Sequence, residues 1–460
     1  MTRGLVVLDA VGLTPRLIGP ETPHLQALAE RGTMSPLECP FPALTMSAQT
    51  SILTGVTPQH HGIVGNGWWF RELAEPWLWR QPHDLIQHED VLTRLRKERP
   101  GFTVAKLFWW FNMYAPVDWA VTPRPMYPAD GRKVPDVHTQ PGDLRDQLQS
   151  ALGPFPLFRF WGPAADLSST RWIADASMKV IAEQLPDLSL VYLPHLDYDF
   201  QRFGPDAPRS RAALSELDGI VGEFIALADR LDLGVLVLSE YGITEVSRPV
   251  HVNRVLRDLG MLSIRMEEGR ERLDCGASRA FAIADHQIAH VYVRGAADRD
   301  AVRDALAETP GVERVLEGDD RAAEGLHHER AGDLVLVADA DAWFTYYFWS
   351  DDAVAPDYAR TVDIHRKPGY DPAELLLDPA LPLPKLKIAR RLLAKKLGFR
   401  NTLDVIGLDA SVVKGSHGRR ADDPADGPVL ISSTPLTHGG EAPFPLSGMP
   451  DLLASLTARG

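Results

Sequence analysis

The sequence predicts an α/β fold, a doubly wound and mostly parallel central sheet with helices on both faces. Three observations carry this. Short apolar runs at 5–9, 188–193 and 234–238 have the composition of strands covered on both faces. Helical segments alternate with them, which implies right-handed strand–helix–strand units. Each run also ends in residues able to do chemistry, at Asp9, at His195/Asp197 and at Glu240. Ligands of open α/β sheets bind at the carboxyl ends of strands.

In chain order, strand 5–9 leads to Gly12, and Thr22-Pro23 reads as the cap and first residue of a helix through Glu30, stopped by Gly32. A strand over 34–39 and a helix over 47–53 flank the stretch FPALTMSAQTSILTG, residues 41–55. Thr45 falls at the start of that helix, among unpaired N–H groups and the positive end of the helix dipole. Two readings stand side by side. Thr45 is an N-cap, or it is a nucleophile at an anion site, with a metal lowering its hydroxyl pKa.

Residues 66–165 hold most of the tryptophans and many prolines. One strand (103–109) and two helices (90–97, 143–152) are predicted there. The rest reads as ordered loops, because disordered segments lack aromatics. These loops are walls of a substrate pocket or a satellite hydrophobic cluster. A helix over 169–184 and another over 209–231 follow. Residues 253–337 read as a small αβ cap inserted into a core made of 1–252 and 338–460. Beyond the polar loop 363–379, residues 385–400 carry seven Lys or Arg. Leu386, Ala389, Leu393 and Leu397 share one face of that basic amphipathic helix. It suits peripheral contact with anionic lipid, or is simply a solvated face.

At 460 residues the chain has room for a large core with insertions or for two domains. Its net charge of −14 argues against binding a nucleic acid duplex. Two cysteines, Cys39 and Cys275, exclude a disulfide framework. The N-terminal apolar run is too short for a signal peptide or membrane span. A cytoplasmic protein, associated at most with the periphery of a membrane, is expected.

Six motifs in order, LDAVG (8–12), FPALT (41–45), GIVGNG (62–67), HLDYDFQRFGP (195–205), SEYG (239–242) and KGSHG (414–418), resemble the alkaline phosphatase superfamily. They look most like its type I phosphodiesterase/nucleotide pyrophosphatase branch. The resemblance implies a hydrolase of phosphoric esters in which two divalent metals, usually zinc, flank a Thr or Ser nucleophile. It places Asp9 and Thr45 on one metal, Asp197 and His417 on the other, Glu240 as an oxygen ligand in place of the family's aspartate, and Asn66 on a phosphoryl oxygen. The substrate would be a small phosphoester with an apolar, nucleotide or lipid-like group.

Two positions depart from the family pattern. Gln201 stands where a histidine is usual, and Glu240-Tyr241-Gly242 replaces Asp-His-Gly. An oxygen-rich site shifts preference from zinc toward manganese, magnesium or calcium. Replacement metal or phosphate contacts are sought at His195, which two-residue spacing on a strand end would turn to the same face as Asp197. His365 and Lys367 in the polar loop are further candidates, as are Gln201 and Tyr241 themselves and, more weakly, His286. The His60-His61 pair follows a helix end, where histidine is favoured anyway. The departures also support a second class of function, a weakened or inactive binding protein on the same scaffold. A C–P bond hydrolase or phosphomutase is a third.

Overall fold

The structure is a computed structural model that describes residues 2–399, 401–437, 440 and 442–458. Its centre is an eight-stranded sheet in the order Thr33–Pro36, Val429–Ser432, Gly234–Leu238, Leu5–Ala10, Leu188–Leu193, Val104–Leu107, Trp119–Pro123, Val137–Gln140. The five strands from Gly234–Leu238 to Trp119–Pro123 run parallel. Val429–Ser432 and Val137–Gln140 pair antiparallel to their neighbours. The central sheet is therefore mostly parallel, as expected.

Strand Leu5–Ala10 is buried throughout, and its alternate residues feed two different cores. Val6 and Leu8 pack with helices Pro23–Arg31, Leu167–Gln184 and Pro208–Leu231. Leu5 and Val7 pack with helices Thr45–Thr54, Val91–Glu98 and Met449–Leu456. The sheet is thus covered on both faces, which is why its strands read as unbroken apolar runs.

Several elements differ from the sequence reading. The strand over 34–39 is Thr33–Pro36, and that over 103–109 is Val104–Leu107. The aromatic region contains strands Trp119–Pro123 and Val137–Gln140, which extend the sheet, and a hairpin of Gly67–Phe70 with Glu75–Leu78. Prolines at 116, 123, 125 and 128 hid the first of these. Residues 280–338 build a second, antiparallel four-stranded sheet in the order Ala280–Asp285, Ile288–Val293, Leu334–Ala338, Val312–Leu316. The tight turn of its first hairpin holds His286 at φ 58° and delivers Asp285 and His286 to the central sheet's carboxyl edge.

The candidate active site

Asp9 ends its strand in register with Tyr192 on one side and Leu238 on the other. Side-chain alternation places it on the Leu5/Val7 face, beneath helix Thr45–Thr54. Glu240 follows Leu236 and Leu238, which pack into the same core. Gln49 joins the two carboxylates. Its Nε2 donates to Asp9 Oδ2 at 3.0 Å and Glu240 Oε1 at 2.6 Å, while its Oε1 accepts the Trp110 N–H at 2.7 Å. That backbone donor fixes which end of the amide faces the carboxylates.

Thr45 is the first residue of its helix. Leu44 is the cap, with no side-chain capping bond, so the N-cap reading of Thr45 is corrected. The helix stops at Gly55, whose φ of 70° favours glycine. The Thr45 hydroxyl lies 2.9 Å from the Tyr241 phenol. Asn66 Oδ1 accepts the Met46 N–H at 3.0 Å, and its backbone and side-chain N–H groups donate to Asp285 at 2.9 and 3.1 Å. One N–H of the Asn66 carboxamide is thereby committed, and the group is locked against the helix start.

Asp197 accepts from Gln201 Nε2 at 2.8 Å, and Gln201 Oε1 accepts from the Tyr370 hydroxyl at 3.1 Å. His417 Nε2 lies 4.0 Å from Asp197 Oδ1. Its Nδ1 donates to the Ala43 carbonyl at 2.8 Å, so Nε2 carries the lone pair and is buried with no partner. Four rings form a stack, Tyr241 on His417 (3.6 Å), His417 on His286 (3.8 Å) and His286 on Tyr370 (3.6 Å). His286 donates from Nδ1 to Asp285 at 2.8 Å, which leaves a second unpartnered Nε2.

Burial dominates the electrostatics. It pushes Asp9 and Asp197 up to about 7. It raises Glu240 well above the usual carboxylate range, with the neighbouring Asp9 charge adding to the effect. Burial, with Asp197 and Glu240 beside it, likewise holds the Tyr241 phenol protonated. Burial keeps His417 and His286 neutral. The contacts on Asp9 and Asp197 come from amides and a carboxylate rather than a lysine or arginine.

Other expected contacts are not assembled here. His195 begins helix His195–Phe203 instead of ending a strand, because Pro194 starts a helical turn. Two residues apart on a helix diverge, and His195 Nε2 pairs with Glu216 at 2.8 Å. His365 is exposed, and the charges acting on it are Lys133, Arg80 and Asp363. Lys367 is buried between Asp371 at 2.7 Å and Glu374 at 2.6 Å, a structural ion pair rather than a phosphate contact. His61 is also structural, taking the Ile63 N–H at Nδ1 and bonding Ser51. Sequence reasoning missed Gln49 and Asp285. Gln49 lies one helical turn after Thr45, the spacing that puts two side chains on one face.

Among the described residues, no three or more His, Cys, Asp and Glu side chains are assembled for a metal ion. The donors nevertheless suit one. Gln49 takes one oxygen of each carboxylate, and the others, Asp9 Oδ1 and Glu240 Oε2, are buried without a partner. Buried anionic oxygens without donors are costly unless a cation or proton meets them. Asp9, Glu240 and the Thr45 hydroxyl form one oxygen-rich group of donors, and Asp197 with His417 a sparser second.

Residues 5–371 match the type I phosphodiesterase / nucleotide pyrophosphatase family. The chain is 23% identical over 273 residues to an uncharacterized pyrophosphatase/phosphodiesterase of Schizosaccharomyces pombe, across 58% of this chain and 49% of that one. It thus spans about half the length of this curated relative. Phosphonoacetate hydrolase from Sinorhizobium meliloti, in complex with phosphonoformate, superposes with a TM-score of 0.62 at 14% identity, covering 99% of this chain and 96% of that one. Murine ectonucleotide pyrophosphatase / phosphodiesterase 5 in complex with AMP gives 0.59 at 14%, covering 99% and 95%. At that identity the two structures show a shared fold, that of the alkaline phosphatase superfamily. The family match, spanning most of the chain, makes this protein a member of the type I phosphodiesterase / nucleotide pyrophosphatase family.

Proposed function

We propose that the chain hydrolyses small phosphoric diesters, with Thr45 as the nucleophile. The observation that carries this reading is the meeting of Thr45 Oγ1, the Tyr241 hydroxyl and the bridged Asp9–Glu240 pair at one helix N-terminus. The helix dipole favours an anion there. Glu240 neighbours Thr45 and, in its ionised form, is the group placed to take the hydroxyl proton. Tyr241, which keeps its own proton, donates to the threonine oxygen as charge develops. Asn66 faces the incoming phosphoryl group with its second amide N–H. Phosphorus–oxygen bond formation at Thr45 expels the alcohol and leaves a threonine-bound phosphoryl ester, which water then cleaves.

Asp9, Glu240 and Thr45 would hold one divalent cation, and Asp197 and His417 a second. Such a cation supplies Lewis-acid stabilisation of the threonine and ester oxygens. The oxygen-rich donors favour manganese or magnesium over zinc. Diesters are favoured over monoesters because a singly charged phosphate meets less repulsion from the three buried carboxylates. The test is turnover of aryl phosphodiesters and monoesters with manganese, magnesium or zinc. Diester turnover that needs added metal supports the reading, and none with any metal overturns it.

Gln201, Tyr241 and the absence of a three-ligand cluster among the described residues favour one second reading, a binding protein on this scaffold. Metal analysis separates the two, since that reading expects at most one weakly held ion.

A further inference from the structure

The helix Pro384–Lys396 is turned inside out. Its anchored side carries Lys387 and Arg391, both paired with Asp404 at 2.9 and 3.1 Å, and Ile388, which packs on the cluster of Ala373, Val405 and Ile406. Its leucines face the other way. Leu386, Leu392 and Leu393 are 56–63% exposed. Leu383 before the helix and Leu397 and Phe399 after it are 66–71% exposed. At 100° per residue, Leu386, Leu393 and Leu397 fall within a narrow arc opposite Arg391 and Ile388. Lys385, Arg390 and Lys396 are exposed beside them. Arg400 lies outside the described residues.

A surface helix ordinarily buries its apolar stripe. Here salt bridges hold the inner side, and a contiguous apolar patch of this kind marks an interaction site. Charge selects the partner. Residues 379–403 contain seven Lys or Arg and no Asp or Glu, in a chain of net charge −14. A second copy of so acidic a chain presents mixed, mostly acidic surface, whereas an anionic bilayer offers both a negative plane and an apolar layer directly beneath it. Leucines that enter the acyl boundary and lysines that stay at the headgroups satisfy both at once. No helix among the described residues is long and apolar enough to cross a membrane, so the contact is peripheral.

We propose that this helix and the turn after it dock the protein on an anionic lipid surface. The test is co-sedimentation of the full chain with vesicles of phosphatidylcholine alone or mixed with phosphatidylglycerol, at low and high salt. The expected result is binding to the mixed vesicles only, weakened by salt about five-fold for each engaged cation. Leu386→Glu/Leu393→Glu should weaken it on the order of 100-fold, with the melting temperature unchanged because both side chains are exposed. Arg390→Gln/Lys396→Gln should weaken it less and flatten the salt dependence. Failure to bind mixed vesicles overturns the proposal. So does a dimer in sedimentation analysis that the double Glu variant dissociates, since a second copy would then cover the face.

Discussion

The Tyr241 phenol sits 2.9 Å from the Thr45 hydroxyl while its ring lies flat on His417 at 3.6 Å. The family pattern carries an imidazole at this position, and the phenol offers a hydrogen-bond donor instead of a lone pair. Tyr241→Phe keeps the stacked ring and removes the donor. It should lower kcat by about 100-fold, the scale of losing one donor to a developing oxyanion, with KM little changed. Steady-state kinetics on an aryl phosphodiester check this. An unchanged kcat would make Tyr241 a packing residue only.

The buried carboxylates impose a pH dependence on stability. Burial raises Asp197 from 3.8 to about 7. Below pH 4 both folded and unfolded states carry its proton, so the contribution to stability is fully present. As pH rises toward 7 the unfolded state loses the proton first, and stability falls by about 4 kcal/mol before levelling off. In chelator, Asp197→Asn should therefore melt higher than the unaltered protein at pH 8 and by a clearly smaller margin at pH 5. Equal melting temperatures at both pH values would contradict the burial argument.

Gln49 holds Asp9 and Glu240 together through one NH2 group. Gln49→Ala leaves one oxygen on each carboxylate and the Trp110 N–H without partners. A loss of about 2–4 kcal/mol follows from three groups left unsatisfied. Manganese should restore more stability to this variant than to the unaltered protein, because a cation meets the released oxygens. Calorimetry with and without manganese measures both effects.

Lys367 is ion-paired to Asp371 and Glu374 in a fully buried setting. Lys367→Met strands two carboxylates and should cost about 3–5 kcal/mol. Because Lys367 is committed to that pair, KM of the soluble fraction should stay level. A raised KM with normal stability would return it to the substrate.

The fold was legible where local pattern and final environment agree. The runs at 5–10, 188–193 and 234–238 are apolar because both faces of the sheet are covered, and Asp9 and Glu240 follow from where those runs stop. Trp119–Pro123 was illegible because it lies near the sheet's edge, where prolines are tolerated. His195 was read as a strand end because it follows directly on the apolar run 188–193, whereas Pro194 had already turned the chain into a helix. The Gln49 bridge and the stack of Tyr241, His417, His286 and Tyr370 join residues from six separated segments. Tertiary packing alone brings them together.

The most direct measurement of the central claim is mass spectrometry of protein quenched during turnover of an aryl phosphodiester. The peptide containing Thr45 should gain the mass of the esterified phosphoryl group, with the adduct on Thr45 and absent from Thr45→Ala. Turnover by Thr45→Ala at the unaltered rate, or an adduct on another residue, would contradict it.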